Sequence, residues 1–318
     1  MRIAFIGFGE VGSILARDLR AAGQDVVAAF DIAFADPASR AARNLQAQGV
    51  ARAASAAEAA SDAEVVFCCV TAGSALAAAR SVAGGVAHGP FVVDMNSVSP
   101  GTKRAASDAV TAAGGRYVEA AVMTSVPPKG IRSPTLIGGP HAAAFLPVAT
   151  ALGMQVQLFS EEVGGASSVK MCRSIMIKGM EATITECMLT ARRYGVEKQV
   201  LASLGDTLPH ESWPDLARYM MSRALVHGRR RAEEVREVAL TVAEAGLEPM
   251  QSPATALRQD WAADRGADLP AEILETKDLA TLLDAVLAKA VRQGKGWGPR
   301  DPQATERLRE INGSGERT

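Results

Sequence analysis

A glycine spacing decides the architecture. Gly7-Phe8-Gly9-Glu10-Val11-Gly12 stands between a strand pattern at Arg2–Ile6 and a helical pattern at Glu10–Ala22. G-x-G-x-x-G in that setting commits the chain to a strand–turn–helix unit that cradles a dinucleotide. The chemistry is that of the backbone. Gly7 permits the tight turn, Gly9 lets the chain approach a pyrophosphate, and Gly12 lets the helix pack close to the strand. Phe8, Glu10 and Val11 lie in the same cradle, where the free N–H groups and the positive end of the helix dipole meet the anion.

Asp31 closes the second strand, about 20 residues beyond the last glycine. A carboxylate there accepts hydrogen bonds from ribose hydroxyls and repels a 2′-phosphate, so NAD is expected and NADP disfavoured. Arg40 and Arg43 are the nearby cations that could still reach a phosphate.

The first half of the chain alternates apolar runs with helical patterns. Strands are expected at Arg2–Ile6, Asp25–Asp31, Glu64–Val70, Phe91–Asp94 and Arg116–Ala121, and helices at Glu10–Ala22, Gly73–Ala83 and Pro100–Ala113. Val65-Val66-Phe67-Cys68-Cys69-Val70 is apolar at every position, as suits a strand buried on both faces. This alternation predicts a parallel, doubly wound sheet. Thr135–Ile137 and Gln155–Phe159, flanking a helix near Pro140–Leu152, extend it. From about residue 163 onward the patterns are helical: Val163–Tyr194, stopped by Gly195, then Glu197–Leu204, Trp213–Ala245, Pro253–Ala263 and Pro270–Gln293. The expected organisation is a Rossmann domain over 1–162 and an all-α domain over 163–318, joined by the long helix. The tail Asn312–Thr318 is expected to fray.

Composition removes several classes of function. Lys+Arg is 34 against 35 Asp+Glu, without the basic excess of a nucleic-acid protein. No apolar run reaches membrane-spanning length. The strand pattern begins at once, which leaves no room for a signal peptide. Cys68, Cys69, Cys172 and Cys187 form no C-x-x-C pair and are expected as reduced core thiols of a cytoplasmic protein. With 4 histidines and no His/Cys cluster, no metal site is expected.

Four further segments, with the glycine cradle, resemble the β-hydroxyacid dehydrogenase superfamily, which includes 3-hydroxyisobutyrate and 6-phosphogluconate dehydrogenases. Asp94-Met95-Asn96-Ser97-Val98-Ser99-Pro100 is similar to a strand end that places small polar residues beside the nicotinamide and its ribose. Glu119-Ala120-Ala121-Val122-Met123-Thr124-Ser125 stands where the family has its substrate loop. Gly165-Ala166-Ser167-Ser168-Val169-Lys170 resembles the segment that carries the catalytic lysine. Lys277-Asp278-Leu279-Ala280 is similar to a K-D-L-x-x-A segment whose lysine approaches the cofactor. Two departures mark a divergent branch. The substrate loop lacks the family's paired glycines, and Ser174 replaces an asparagine one turn after the lysine, with Arg173 before it.

The resemblance implies hydride transfer between a CH–OH group, in a hydroxy acid or related polar alcohol, and NAD. Lys170 is the expected general acid/base. Ser97, Met123, Thr124, Ser125, Arg173 and Ser174 are expected at the substrate; Val70, Thr71, Asn96, Ser97 and Lys277 are expected at the cofactor beside the cradle and Asp31. Helical spacing sets Lys170, Arg173, Ser174, Ile177 and Glu181 on one face. His210 and Trp213 are expected mainly as structure, and Arg229-Arg230-Arg231 as an ion-paired helix face. A homodimer through the helical domain is expected, with a small-molecule substrate. Two other functions compete. An imine reductase shares the architecture but commonly lacks the lysine, and a non-catalytic dinucleotide sensor would need only the cradle and Asp31.

Overall fold

The computed structural model describes residues 1–291. Its first half runs β1 (Arg2–Ile6), α1 (Glu10–Ala21), β2 (Asp25–Phe30), α2 (Arg40–Gln48), α3 (Ala56–Ala60), β3 (Val65–Cys68), α4 (Ala75–Val82), β4 (Phe91–Asp94), α5 (Pro100–Ala112), β5 (Arg116–Val122), β6 (Thr135–Gly138), α6 (Ala142–Ala151) and β7 (Val156–Ser160). The strands form one sheet in the order β2-β1-β3-β4-β5-β6-β7. Side chains alternate across it. Ile3, Phe5, Phe67 and Val93 pack with Leu15, Leu19 and Phe145 on one face. Ala4, Ile6, Val66 and Val92 pack with Ala79, Val82, Ala106 and Val110 on the other. Strands covered on both faces account for the unbroken apolar runs. The order reverses between β1 and β3, and in such sheets that switch point, at the carboxyl ends of the strands, is where ligands bind.

Two features depart from the pattern read in the sequence. β6 runs antiparallel to β5, with Glu119 opposite Gly138 and Val122 opposite Thr135, while β7 lies parallel to β6. The segment 123–134 holds only a single turn, Gly130–Arg132, and a parallel return would need a full crossover. The β2–β3 connection also carries two short helices, α2 and α3, whose starts are capped by the Ser39 and Ser55 hydroxyls.

The second half is helical throughout its described length: α7 (Gly165–Tyr194), α8 (Glu197–Thr207), α9 (Trp213–Glu244), α10 (Gln251–Gly266), α11 (Ala271–Glu275) and α12 (Leu279–Val291). Gly195, at φ +71°, ends α7. α9 and α10 touch through backbone. A Cβ on Gly228 would lie 2.3 Å from the Gln259 carbonyl oxygen, and one on Gly266 would lie 2.2 Å from that of Leu225. Met188, Met221, Leu225, Leu282, Leu283 and Val286 fill the core between these helices. The expected single helix at 270–293 is broken. The Asp278 carboxylate accepts from the Thr281 N–H at 2.9 Å and its hydroxyl at 2.6 Å, which starts α12. Residues 292–293 and the 312–318 tail lie outside the described residues. So does the end of the expected 163–318 domain.

The halves are latched as well as linked. On α9, Glu237 accepts from the Ser99 N–H and the Thr102 hydroxyl, each at 2.9 Å. Glu244 accepts from the Ser99 hydroxyl and the Gly101 N–H, each at 2.8 Å. Both carboxylates thus meet the N-terminus of α5, whose free N–H groups favour negative charge. Of the four cysteines, Cys68 is buried and Cys69 and Cys187 are half-buried, but Cys172 is exposed and not a core thiol.

Candidate active site

The glycine cradle has the geometry its spacing requires. Gly7 sits at φ +91°, and its N–H donates to the Phe30 carbonyl at 2.8 Å. A Cβ on Gly7 would meet the Cys69 carbonyl oxygen at 2.4 Å, and one on Gly12 would meet that of Gly7 at 2.1 Å. A Cβ on Gly9 would meet nothing within 4 Å. Two glycines are therefore demanded by the fold, and the third keeps open the space before the α1 N–H groups. Asp31 is joined to this loop. Its carboxylate accepts the Phe8 N–H at 2.7 Å and the Ala33 N–H at 2.8 Å. Glu10, on the rim, pairs with Arg40 at 3.5 Å, and Arg43 donates to the Ala38 carbonyl.

Asn44 and Gln48 hold the loop from behind. The Asn44 amide donates to the Gly9 carbonyl at 3.0 Å and the Ser13 hydroxyl at 3.0 Å; that of Gln48 donates to the Ser13 carbonyl at 2.8 Å. Neither residue was singled out in the sequence. Their only signal is an i, i+4 amide pair on α2, a helix too short and polar to read.

At the ends of β3 and β4, the Asn96 Oδ1 accepts the Val70 N–H at 2.8 Å. The Asn96 N–H donates to Asp94 at 2.9 Å. The Asn96 amide nitrogen is buried with no partner among the described residues. Asp94 itself faces inward. It is paired with the fully buried Lys103 at 3.1 Å and accepts the Tyr117 hydroxyl at 2.7 Å. Burial and the adjoining Asp94 push the Tyr117 phenol well up, so it stays a donor. Ser97 follows, half-buried, and Thr71 is exposed on the neighbouring loop.

Lys170 enters from the helical side. The buried Glu119, midway along β5, accepts the Gly164 N–H at 2.7 Å and the Ser167 N–H at 2.6 Å. It caps the 30-residue helix α7 and fixes where the lysine emerges, one to two turns later. Burial lowers the Lys170 pKa. Glu234 on α9 opposes that shift, while Lys178, Lys103 and Arg230 add to it, bringing the ammonium to about 7. The groups that tune it come from both halves of the chain.

Behind Lys170 runs a buried ionic row. Lys178 pairs with Glu234 at 2.5 Å, and its ammonium donates to the Ser174 hydroxyl at 3.4 Å. Glu234 also pairs with Arg230, and Glu181 pairs with Arg231 at 3.0 Å. Burial alone would raise the Glu234 carboxyl, but Lys178, Arg230 and Lys170 hold it down at about 2. Lys178 and Glu234 are functional candidates that the sequence did not reveal, since a lysine and a glutamate on separate long helices carry no local signature.

Comparison with known proteins shows the family. Residues 2–153 match the NAD binding domain of 6-phosphogluconate dehydrogenase, and residues 191–262 match a domain of unknown function, DUF1932. A conserved hypothetical protein from Sinorhizobium meliloti 1021 is 34% identical, with a TM-score of 0.67 over 91% of this chain and 96% of its own. A second solved structure, of a conserved protein described as structurally similar to 3-hydroxyacid dehydrogenases, is 31% identical, with a TM-score of 0.63 over 83% of this chain and 97% of its own. The chain belongs to the 3-hydroxyacid dehydrogenase family. It stands in a divergent branch, with a dinucleotide-binding domain and the oxidoreductase character of that family. The 3-hydroxyisobutyrate dehydrogenase of Pseudomonas aeruginosa is 28% identical over 64% of this chain and 68% of its own.

Other expected positions differ in burial and partners. Arg173 is exposed and off the inward row, which runs through Ser174, Lys178 and Glu181. Met123 is half-buried and its N–H donates to the Pro134 carbonyl at 2.9 Å, while Thr124 and Ser125 are exposed. Lys277 is exposed between α11 and α12, not inside a helix. The neighbouring Thr276 carbonyl accepts from Arg218 at 2.8 Å. Arg218 lies about 16 residues before Glu234 on α9, roughly 24 Å along the axis, so this chain does not bring Lys277 to its own Lys170. Trp213 is core, with its indole N–H on the Leu208 carbonyl at 2.8 Å and the His210 ring 6.1 Å away. Arg229 pairs with Asp260 and Asp264 on α10. Among the described residues no helix is long and apolar enough to cross a membrane, and no cluster could hold a metal ion.

Proposed function

We propose that this family member transfers hydride between a CH–OH group, in a hydroxy acid or related small polar alcohol, and NAD, with Lys170 as general acid/base. The observation that carries this is Lys170: a half-buried ammonium brought to about 7 at the junction of the two halves. A dinucleotide fits the residues present. The open space at Gly9, the turn at Gly7 and the unpartnered Asn96 amide suit a pyrophosphate and a polar ring substituent. Bound there, the nicotinamide supplies the hydride acceptor. Neutral Lys170 takes the hydroxyl proton in oxidation, and its ammonium returns it in reduction. Ser97 and Ser174 border the reacting region, and Asn96 orients the cofactor. Asp31 supports NAD over NADP, because a 2′-phosphate would meet its carboxylate. A homodimer through the helical half, in the cytoplasm, completes the proposal.

Lys170→Ala is expected to lose about 10²–10⁴-fold in turnover with NAD affinity near wild type. Lys170→Arg fails as well, because a guanidinium cannot surrender its proton. Oxidation should rise tenfold per pH unit below about 7 and level off above it, and reduction should fall above it. Near wild-type turnover in Lys170→Ala would sink the assignment. A screen of NAD and NADP against hydroxy acids, aldehydes and imines separates alcohol oxidation from imine reduction and from a silent sensor, and light scattering tests the dimer.

A further inference from the structure

The glycine cradle offers N–H dipoles, and the cation on its rim, Arg40, is paired with Glu10 at 3.5 Å. A bound pyrophosphate would therefore gain from charged partners on the other side. Two arginines stand opposite, on α9, with a histidine between them. Arg223, His227 and Arg230 follow at i, i+4 and i+7, which sets them along one stripe.

The fold aims that stripe at the switch point between β1 and β3. One turn past Arg230, Glu233 comes within 4.0 Å of where a Cβ on Gly73 would lie, in the turn that follows β3. At the other end, His227 feels the charge of Glu10, although burial and then the charges of Arg223, Arg230 and Arg231 dominate and lower its imidazole to about 4. Arg230 thus lies between the loop after β3 and the start of α1.

Arg230 is available for a ligand. Its side chain is 46% exposed, and among the described residues only Nη1 is engaged, with Glu234. Nη2 and Nε remain as donors in the fork geometry that matches phosphate oxygens. Arg223 lies two turns earlier, about 10.5 Å along the axis, a span two arginine side chains can close. Among the described residues its Nε is buried with no partner, as are the Glu233 Oε2 and the Asn96 amide nitrogen. Buried polar atoms are normally paired, and an unpartnered guanidinium nitrogen is a donor left for a ligand.

We propose that α9 completes the phosphate cradle. Arg230, assisted by Arg223, grips the dinucleotide pyrophosphate from the side opposite Gly9, between the sheet edge and the helical half of the same chain. This rests on the dinucleotide-dependent function proposed above, and the test separates the two.

Full-length protein is titrated with NAD, ADP-ribose and adenosine by calorimetry and ligand-observed NMR, for wild type, Arg230→Gln, Arg230→Lys and Arg223→Gln. Wild-type binding of NAD tests the function itself. Loss of one charged contact to phosphate should weaken NAD and ADP-ribose roughly ten- to a hundredfold in Arg230→Gln and leave adenosine unchanged. Arg230→Lys should recover part of the loss, and Arg223→Gln should show a smaller one. The salt dependence of NAD binding should flatten in Arg230→Gln. Unchanged NAD affinity in Arg230→Gln, or an equal loss for adenosine, would overturn the proposal while leaving NAD-dependent turnover in place.

Discussion

Glu119 should be one of the most sensitive positions in the chain. Its buried carboxylate accepts two backbone N–H groups, from Gly164 and Ser167, at 2.7 and 2.6 Å, and no cation pairs with it among the described residues. Its charge is held by the helix N-terminus alone. Each charge-assisted hydrogen bond is worth about 1.5–3 kcal/mol, and Glu119→Ala also strands two buried donors. We expect that substitution to cost about 3–5 kcal/mol, a fall in Tm of roughly 6–20 °C at ~2–4 °C per kcal/mol for a domain of this size. Glu119→Gln keeps one acceptor but turns an amide N–H toward the other donor, so it should lose about 2–3 kcal/mol. Urea denaturation followed by circular dichroism, with calorimetry, measures both. Because α7 also sets Lys170, turnover should fall further than NAD affinity in protein that remains folded. A loss below about 1 kcal/mol in Glu119→Ala would refute the idea that this carboxylate anchors the helix.

Gly9→Ala should leave Tm unchanged without cofactor and weaken NAD binding, since its Cβ meets nothing in the fold. Gly12→Ala, whose Cβ would strike the Gly7 carbonyl at 2.1 Å, should destabilise the apo protein in the same thermal melts. Lys170→Met should raise Tm at pH 6 and change it little at pH 10. With a native value of about 7, the unfolded chain holds the extra proton between about pH 7 and the ordinary lysine range, so wild-type stability rises with pH across that window. Lys178→Met, which leaves Glu234 buried without its 2.5 Å partner, should cost about 3–5 kcal/mol in denaturant, and a Lys178→Met, Glu234→Leu double variant should recover much of it.

What the sequence disclosed was local. The strand, turn and glycine spacing of residues 2–12 and the buried runs at 65–68 and 91–94 each carry their signal within one element, and the structure forms them at those places. The start of α7 was legible within two residues, because small residues and a run of helix formers coincide there. The direction of β6 was not, since it depends on the path of 123–134 rather than on any strand's own pattern. Helix α2 was missed because Arg40–Gln48 has too few apolar positions to show a period. At the candidate site, Lys170 stands out in the sequence through its motif, whereas Glu119, Asn44, Lys178 and Glu234 act through partners far off in sequence. The exposure of Arg173 was hidden for a related reason. Spacing of three put it beside Lys170, but the buried row follows 174, 178 and 181, and a wide helix face does not say which edge turns inward.

The latch between Glu237, Glu244 and the start of α5 bears on how this chain could have been assembled by recombination. A covalent seam near residue 163 invites the exchange of whole nucleotide-binding modules between relatives. Yet two carboxylates on α9 take their hydrogen bonds from Ser99, Gly101 and Thr102, and a Cβ at Gly101 would press within 2.4 Å of Glu244. A grafted module lacking a glycine and two hydroxyls at those three positions would leave both carboxylates poorly matched. The two halves are thus portable only as a matched set, and a working chimera must carry the 99–102 tetrapeptide along with the helical half it was fitted to.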